Sequence, residues 1–151
     1  NFTEIQSDYS GSAHTGYSFA GDLDGSNNWD YISISDSDGA QNAEINYPIF
    51  YRANIYGSVE PLGLTGTDYE TGWYIPSIAE LYKVYKNKEV IQRSLSAAGG
   101  FKLGIASYWS SSQDKYFSKN ALCCDFDDGY VSQKSKHDEY RVFVLHDLGI
   151  K

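Results

Sequence analysis

The segment from residue 77 to residue 86 restricts the fold most, because helical periodicity is clearest there. Ile78, Leu81, Tyr82 and Tyr85 follow the spacing i, i+3, i+4, i+7 that places side chains on one helix face. A proline stands just before this segment, where a helix tolerates it, and a glutamate lies near the positive end of the helix dipole. The pattern predicts one amphipathic helix over residues 77 to 86.

A second helix is predicted directly after the first. Asn87 is a residue type that caps helices, and Gly99 with Gly100 supplies the left-handed stop. The apolar residues between them fall on one side of a helix: Val90, Ile91, Leu95 and Ala98. We therefore expect two short helices packed on a sheet.

Beyond Gly104 the hydrophobic period becomes two, which is typical of strands. Leu122, Cys124 and Phe126 would share one face, with the residues between them pointing away. An Asp-Gly pair at 128–129 predicts a hairpin turn.

The strand after this turn, and the last strand of the chain, are predicted from their side-chain patterns. If Val131 faces the core, then Tyr130, Ser132 and Lys134 face outward. The segment from Tyr140 to Leu145 is apolar on both faces, which predicts a central strand.

The two cysteines, Cys123 and Cys124, are sequence neighbours. Their Cα atoms lie about 3.8 Å apart across a trans peptide, below the usual disulfide range of about 4.4–6.8 Å. We predict free thiols on opposite faces of one strand, and a vicinal or intermolecular disulfide is the alternative. Cysteine usage therefore does not fix the cellular compartment.

The first third of the chain reads as irregular structure. Residues 1 to 46 are rich in Ser, Gly, Asp and Asn, with short alternating pieces such as residues 31 to 35. Aromatic anchors argue against disorder, so loops around brief strands are expected. With 151 residues and 41% hydrophobic content, the chain is predicted to form a single domain over residues 1–151.

Five sequence motifs follow one another in a fixed order. They are Asp24 to Trp29, Asn46 to Pro48, Gly66 to Tyr69, Gly72 to Asn87 and Tyr108 to Gln113. The fourth contains the string GWYIPSIAEL and the fifth reads YWSSSQ. These motifs resemble the Lcl C-terminal (collagen-like protein C-terminal) domain family over residues 28 to 147, and look closest to a group of such domains from anaerobic bacteria.

The resemblance implies an α+β, C-type-lectin-like fold, with antiparallel sheets, two short helices and long irregular loops. It also implies an exported or surface protein used for adhesion or ligand display, and it makes residues 1 to 27 look like the tail of a longer module. The motif residues themselves are expected to be framework, with Trp73 and Trp109 contributing about 1.5–3 kcal/mol each when buried.

A ligand-binding surface is predicted where the family pattern loosens, at residues 114 to 120 and 130 to 141, which we call the C-terminal face. Rigid aromatics and adaptable polar groups are mixed there, as in antibody paratopes; an ordinary solvated hairpin is the alternative. The layout also resembles variable proteins of diversity-generating retroelements. The predicted contact residues are Asp114, Lys115, Tyr116, Lys119, Asn120, Tyr130, Ser132, Lys134, Lys136, His137, Asp138 and Tyr140.

Oxygen-bearing side chains alternate between residues 22 and 30 in a calcium-loop-like spacing. Asp22, Asp24 and Asp30 are the candidate metal ligands, with a serine and an asparagine between them. Position 12 is Ser33 instead of glutamate, so a standard EF-hand is excluded. A structural calcium ion and an ion-free Asp-Gly turn network both remain open, and no other cofactor is predicted.

No catalytic motif accompanies these features. The three histidines are scattered, and the chain has no G-x-S-x-G elbow, H-E-x-x-H, C-x-x-C or phosphate loop. The formylglycine-generating enzymes have a related fold, but Cys123 and Cys124 do not reproduce their separated cysteine pair. A Ser-His-Asp triad assembled in space is the remaining enzymatic alternative.

The charge and hydropathy of the chain exclude some classes of partner. Residues 1–70 hold eleven acidic residues against Arg52 alone, a net charge of −10, and the remainder carries +2. A nucleic-acid phosphate backbone demands a basic stripe, so nucleic acid is not an expected partner. No stretch approaches the roughly 18 apolar residues of a membrane span, so direct membrane insertion is not expected.

We therefore predict a non-catalytic ligand-binding domain of a secreted or surface-attached bacterial protein, with a protein or glycan as its ligand. The alternative is a structural subunit of a fimbria or cell envelope that packs against copies of itself.

Overall fold

A computed structural model describes residues 1–59 and 62–148; residues 60–61 and 149–151, which belong to the predicted 1–151 domain, lie outside the described part. The protein is of the α+β class, as predicted. Within the described ranges the strands are β1 (Gln6–Ser12), β2 (Gly16–Gly21), β3 (Trp73–Tyr74), β4 (Ser107–Asp114), β5 (Asn120–Asp125), β6 (Val131–Ser135), β7 (Arg141–Val142) and β8 (Leu145–His146).

The helices are divided between two regions of the chain. Four short ones come first: α1 (Asn28–Ser35), α2 (Ser37–Ala40), α3 (Ala43–Asn46) and α4 (Pro48–Asn54). Two longer ones follow β3: α5 (Ile78–Lys86) and α6 (Lys88–Ala97). Short 3-10 helices lie at Gly25–Asn27 and Tyr56–Ser58.

The main sheet is mixed, so the expectation of purely antiparallel sheets is wrong. Its order is β2-β1-β4-β5-β6, and β7 also pairs with β4. The β1–β2, β4–β5 and β5–β6 pairs are antiparallel, whereas β1 and β7 both run parallel to β4. Strands β3 and β8 form a separate antiparallel pair. One edge of β4 pairs with β5. The other edge pairs in parallel with β1 and β7, which come from other parts of the chain.

Helices α5 and α6 lie where they were predicted, but two residues of the predicted apolar side of α6, Val90 and Ala98, are exposed. Ser77 caps α5 by accepting a hydrogen bond from the Glu80 N–H, and the Glu80 side chain accepts in return from the Ser77 N–H, a complete capping box. Gly99 has a φ of +73°, the left-handed conformation expected of a helix stop. Asn87 separates the two helices but makes no side-chain cap to α6.

The core lies between α5 and the sheet. Its buried members are Ile78, Leu81, Tyr82, Val84, Tyr108, Leu122, Cys124, Phe126 and Val131. Burying a side chain as large as that of Phe126 contributes about 1.5–3 kcal/mol. The prediction that residues 122, 124, 126 and 131 face the core is therefore confirmed.

The hairpin after β5 is confirmed, although its loop is longer than an Asp-Gly pair. Residues 126 to 130 connect β5 to β6, with Gly129 at a φ of +78°. Both cysteines are free and buried, as predicted for the thiols. Cys123 lies on the other side of β5 from the core cluster, with its sulfur 3.5 Å from the Ser132 carbonyl.

Two predicted strands are absent from their positions. Residues 31 to 35 belong to α1, where Asn28 and Ile32, one turn apart, are buried and Ile34 is 81% exposed. The apolar residues alternate only over the short stretch from 31 to 35, and the buried residues of α1 follow the helical period instead. The segment from 140 to 145 is not one central strand, because β7 pairs with β4 while β8 pairs with β3.

The expectation of only two helices is also wrong, because the irregular first third folds into α1 to α4. Pro48 occupies the first turn of α4, where its missing N–H costs nothing. The Asp36 side chain accepts a hydrogen bond from the Gly39 N–H and so caps α2. Loop-forming residue types thus cap helices here instead of connecting strands.

Candidate functional site

Three of the five motifs meet beside β4 through the side chain of Asn28. Asn28 is only 1% exposed, and its Nδ2 donates to Asp22 Oδ2 at 2.7 Å and to Ser111 Oγ at 2.8 Å. The Ser111 N–H donates to the Pro76 carbonyl at 2.8 Å. The 24–29, 72–87 and 108–113 motifs are therefore joined by buried hydrogen bonds.

The Glu80 carboxylate adds a second junction between two of these motifs, 24–29 and 72–87. Its Oε2 accepts from the N–H groups of Gly25 and Ser77, each at 2.9 Å, and its Oε1 accepts from the Tyr74 hydroxyl at 3.0 Å. Burial, and then the nearby Glu80 charge, raise the pKa of Tyr74, so that hydroxyl keeps its proton. A side chain at Gly25 would collide with the backbone before α5.

The serines after Trp109 also stabilise the framework, but they hydrogen-bond to neighbouring elements instead of to their own local backbone. Ser110 Oγ donates to the Leu122 carbonyl on the neighbouring strand, and Ser112 Oγ accepts from the Ile78 N–H at the start of α5. Trp109 itself is buried, whereas Trp73 is only partly buried and donates to the Tyr69 carbonyl. These side chains connect structural elements, and Trp109, Ser110 and Ser111 also line a cavity beside β4.

The candidate metal ligands lie in a turn network. Asp22 Oδ1 accepts from the Asp24 N–H at 3.2 Å, and Asp24 Oδ1 accepts from the Ser26 N–H at 2.9 Å. Burial raises the pKa of Asp22, and Asp30 is exposed in the first turn of α1. No three His, Cys, Asp or Glu side chains within residues 1–59 and 62–148 are arranged to hold a metal ion. Calcium binding stays a prediction, and hydrogen bonds within the turn account for the positions of Asp22 and Asp24.

A half-open cavity of about 470 Å³ lies on the opposite side of β4 from the core cluster. Five aromatic side chains line it, and we call it the aromatic cavity: Phe2, Tyr47, Phe50, Trp109 and Tyr140. Ile5, Ile32 and Ile49 add aliphatic surface. Its volume falls within the range of about 300–1,000 Å³ typical of small-ligand pockets.

Edge-to-face contacts fix the aromatic rings. Trp109 and Tyr140 meet with ring centroids 5.0 Å apart, and Phe2 and Tyr47 with centroids 6.1 Å apart. The Tyr47 hydroxyl donates to Asp36 Oδ2. Burial, followed by this carboxylate, raises the pKa of Tyr47 to about 12, so the ring is neutral at physiological pH. The cavity wall is therefore both apolar and ordered.

A lysine ammonium and an amide supply the polar part of the cavity. Lys136 Nζ donates to Gln113 Oε1 and to the Ser118 carbonyl, each at 2.8 Å. Gln113 Nε2 donates in turn to Asn1 Oδ1 at 2.7 Å. Because an ammonium only donates, the oxygen of the Gln113 amide must face Lys136.

Among the residues that the structure describes, no carboxylate lies within 4.0 Å of the Lys136 ammonium. The ion pair between Lys115 and Asp8, at 3.6 Å, is the only one within that distance in the described part of the chain. Partial enclosure of the ammonium lowers the pKa of Lys136, because the charged form loses hydration, but the residue as a whole is exposed to solvent. Two of its three N–H donors meet neutral acceptors within the described residues, so one donor and the charge are open to water or to a ligand.

Three of the twelve predicted contact residues line the aromatic cavity: Lys136, Asp138 and Tyr140. The structure does not bring the other nine to it. Among these, the exposed ones are Lys115, Tyr116, Lys119, Tyr130, Lys134 and His137, and the partly buried ones are Asn120 and Ser132.

Asp114 differs most from its predicted role. It is only 5% exposed, and its Oδ1 accepts from the N–H groups of Tyr116 and Phe117. Asp114 therefore shapes the loop after β4. Tyr116, in turn, donates its hydroxyl hydrogen to Asp8 Oδ2 at 2.9 Å, which ties this loop to β1.

The N-terminal half contributes cavity residues that sequence reasoning missed. Phe2, Tyr47 and Phe50 line the aromatic cavity together with Trp109 and the buried Gln113 of β4. The aromatic run at residues 47 to 51 was a visible signal. Nothing in the sequence connected this aromatic run to the C-terminal face, which begins more than 60 residues later.

Comparison with known proteins supplies no assignment: no family model, curated protein or solved structure matches the chain. None of the helices in the described ranges is long and apolar enough to cross a membrane.

Proposed function

We propose that this chain is a non-catalytic, C-type-lectin-like binding domain of the Lcl C-terminal type, from a secreted or surface-attached bacterial protein. Its ligand is a protein or glycan that contacts the C-terminal face. The observation that carries the proposal is the aromatic cavity, because residues of that face form one side of a concave, largely apolar site with few polar groups.

The framework supports the family part of the proposal. Helices α5 and α6 precede the antiparallel β4-β5-β6 ribbon, and α5 packs on it. The 24–29, 72–87 and 108–113 motifs meet in one hydrogen-bond network, whose bonds range from part-buried to buried. Residues that recur in a family framework are expected to contact one another in this way.

The chemistry of the nucleophile candidates supports a binding role. Burial raises the pKa of Cys123 and raises that of Cys124 to about 12, so both thiols are protonated at neutral pH. His137 is exposed, and His146 Nε2 lies 2.8 Å from the Thr71 carbonyl. These histidines and thiols are not arranged as a nucleophile with its base.

A ligand selection followed by matched variants tests the proposal. The domain is probed with a glycan array and a displayed peptide library, and the affinity of a selected ligand is measured. Replacing Tyr130 and Tyr140 with Ala removes two aromatic contacts of the C-terminal face and should weaken binding at least about tenfold. Phe101→Ala, which truncates an aromatic side chain that is 86% exposed elsewhere, should leave affinity unchanged.

Unfolding midpoints are measured for each variant, so that lost binding is not confused with lost structure. Equal affinities for the wild type and the Tyr130/Tyr140 variant would place the site elsewhere. Concentration-dependent oligomers in light scattering, with no selected ligand, would favour the self-associating structural subunit instead.

A further inference from the structure

The aromatic cavity presents a positive charge, on the exposed residue Lys136, for which the described residues supply no counter-ion. Within the described part of the chain, Lys136 Nζ donates to an amide oxygen and a carbonyl oxygen, and aromatic side chains line the cavity beside it. A carboxylate that arrives with a ligand would pair with this ammonium through a charge-assisted hydrogen bond. The remaining N–H donor of the ammonium provides the hydrogen bond.

The aromatic side chains of the cavity next to Lys136 form a surface that suits a hydrocarbon group. The Phe2 ring lies 6.0 Å from Lys136 Nζ, and Trp109 and Tyr140 present a fixed edge-to-face pair in the same cavity. A volume of about 470 Å³ accepts one ring or branched side chain with its attached polar group. It is too small for an extended stretch of folded protein surface.

From this combination we infer that the aromatic cavity binds an apolar group that carries a carboxylate, with the carboxylate paired to Lys136 and the hydrocarbon against the aromatic wall. The inference rests on the proposed function, since it names the ligand chemistry of that same face. Two sources offer this chemistry: the C-terminal residue of a peptide, and a free small carboxylic acid.

Two acidic residues that line the aromatic cavity, Asp138 and Glu139, limit where the ligand carboxylate lies. Asp138 and Glu139 line the cavity and are exposed, so their repulsion of an anion is screened by water and salt. Gln113 is buried beside the ammonium. The carboxylate is therefore placed on the Lys136 and Gln113 side, away from the acidic rim.

Isothermal titration calorimetry with paired probes tests the inference. The free-acid arm compares 3-phenylpropionate with 3-phenylpropionamide, and the peptide arm compares N-acetyl-Gly-Phe with its C-terminal amide. Each acid should bind about five- to tenfold tighter than its amide, with a Kd of about 1 mM or below for the better acid. The arm that binds more tightly identifies the source.

Two lysine variants separate the specific pair from general charge effects. In Lys136→Met the acid and amide should bind equally, with amide affinity retained. In Lys83→Met, which removes an exposed lysine of α5 outside the C-terminal face, the preference for the acid should persist. Asp138→Asn with Glu139→Gln alters only exposed positions and should strengthen acid binding about two- to threefold while leaving the amide unchanged.

Several outcomes would overturn the inference. They are equal binding of acid and amide to the wild type, equal effects of the two lysine variants, or no binding of any probe below about 10 mM. If the Tyr130/Tyr140 variant still abolishes binding of a selected macromolecule while all probes fail, only this inference falls and the proposed function stands.

Discussion

Replacing Glu80 with Ala should destabilise the protein far more than its partly exposed position suggests. The carboxylate accepts from two backbone N–H groups, those of Gly25 and Ser77, and Ser77 is fully buried. Leaving a buried donor unpaired costs about 1–3 kcal/mol, so the two together give a loss of about 2–5 kcal/mol. The lost Tyr74 hydrogen bond acts in the same direction.

Urea unfolding, followed by tryptophan fluorescence and circular dichroism, measures this loss. For a chain of this size the thermal midpoint should fall by about 5–15 °C. Glu89→Ala, which removes an exposed glutamate from the first turn of α6, is the matched control and should cost less than about 0.5 kcal/mol. If Glu80→Ala cost no more than this control, the carboxylate would not join the motifs as described.

Three further predictions concern a glycine next to α5, the two cysteines of β5 and a carboxylate of β1. Gly129→Ala should cost about 1–3 kcal/mol in urea unfolding, because the position has a positive φ and the new methyl group would collide with a tyrosine ring of α5. The thiols of Cys123 and Cys124 should react with a disulfide reagent at pH 8 at least about 100-fold more slowly in the native state than in urea, since burial raises both pKa values; rapid native reaction would contradict their placement. The hydrogen bond from Tyr116 is the main cause of the lowered pKa of Asp8. The stability that the ionised Asp8 contributes is therefore present above the ordinary carboxyl pKa of 3.8 and is lost as the pH falls through the lower folded value. Asp8→Asn should lower the thermal midpoint at pH 7 and leave it unchanged near pH 2.

Local sequence signals predicted the second half of the fold well. The apolar period of residues 78 to 85, with Pro76 before it and Glu80 near its start, locates α5 to within one residue at its start. Alternation at residues 122 to 126 assigns the core face of β5. In these segments the propensity, the caps and the burial pattern agree with one another.

Prediction failed where a partner distant in sequence decides the structure. The alternation at residues 31 to 35 suggested a strand, yet α1 forms because buried Asn28 hydrogen-bonds to Ser111, 83 residues away. The apolar segment from 140 to 145 is divided between two sheets, since β4 and β3 each offer it an edge. Neither pairing leaves a local trace in the sequence.

The candidate site was predicted in part for the same reason. Lys136, Asp138 and Tyr140 were identified from their composition, which favours a contact surface. The facing wall, which includes Phe2 and Tyr47, comes from the other end of the chain. A cavity built from segments about 90 to 140 residues apart could be found only after the fold was known.

A two-dimensional nitrogen–proton NMR titration with 3-phenylpropionate shows whether the aromatic cavity binds an apolar carboxylate. The indole N–H of Trp109 and the side-chain amide of Gln113 report on the aromatic cavity, and the indole N–H of Trp73, which donates to the Tyr69 carbonyl, is the internal control. We expect saturable shifts at Trp109 and Gln113 that follow one Kd, with Trp73 unmoved. Binding that leaves Trp109 and Gln113 unshifted, or that shifts Trp73 equally, would contradict this expectation.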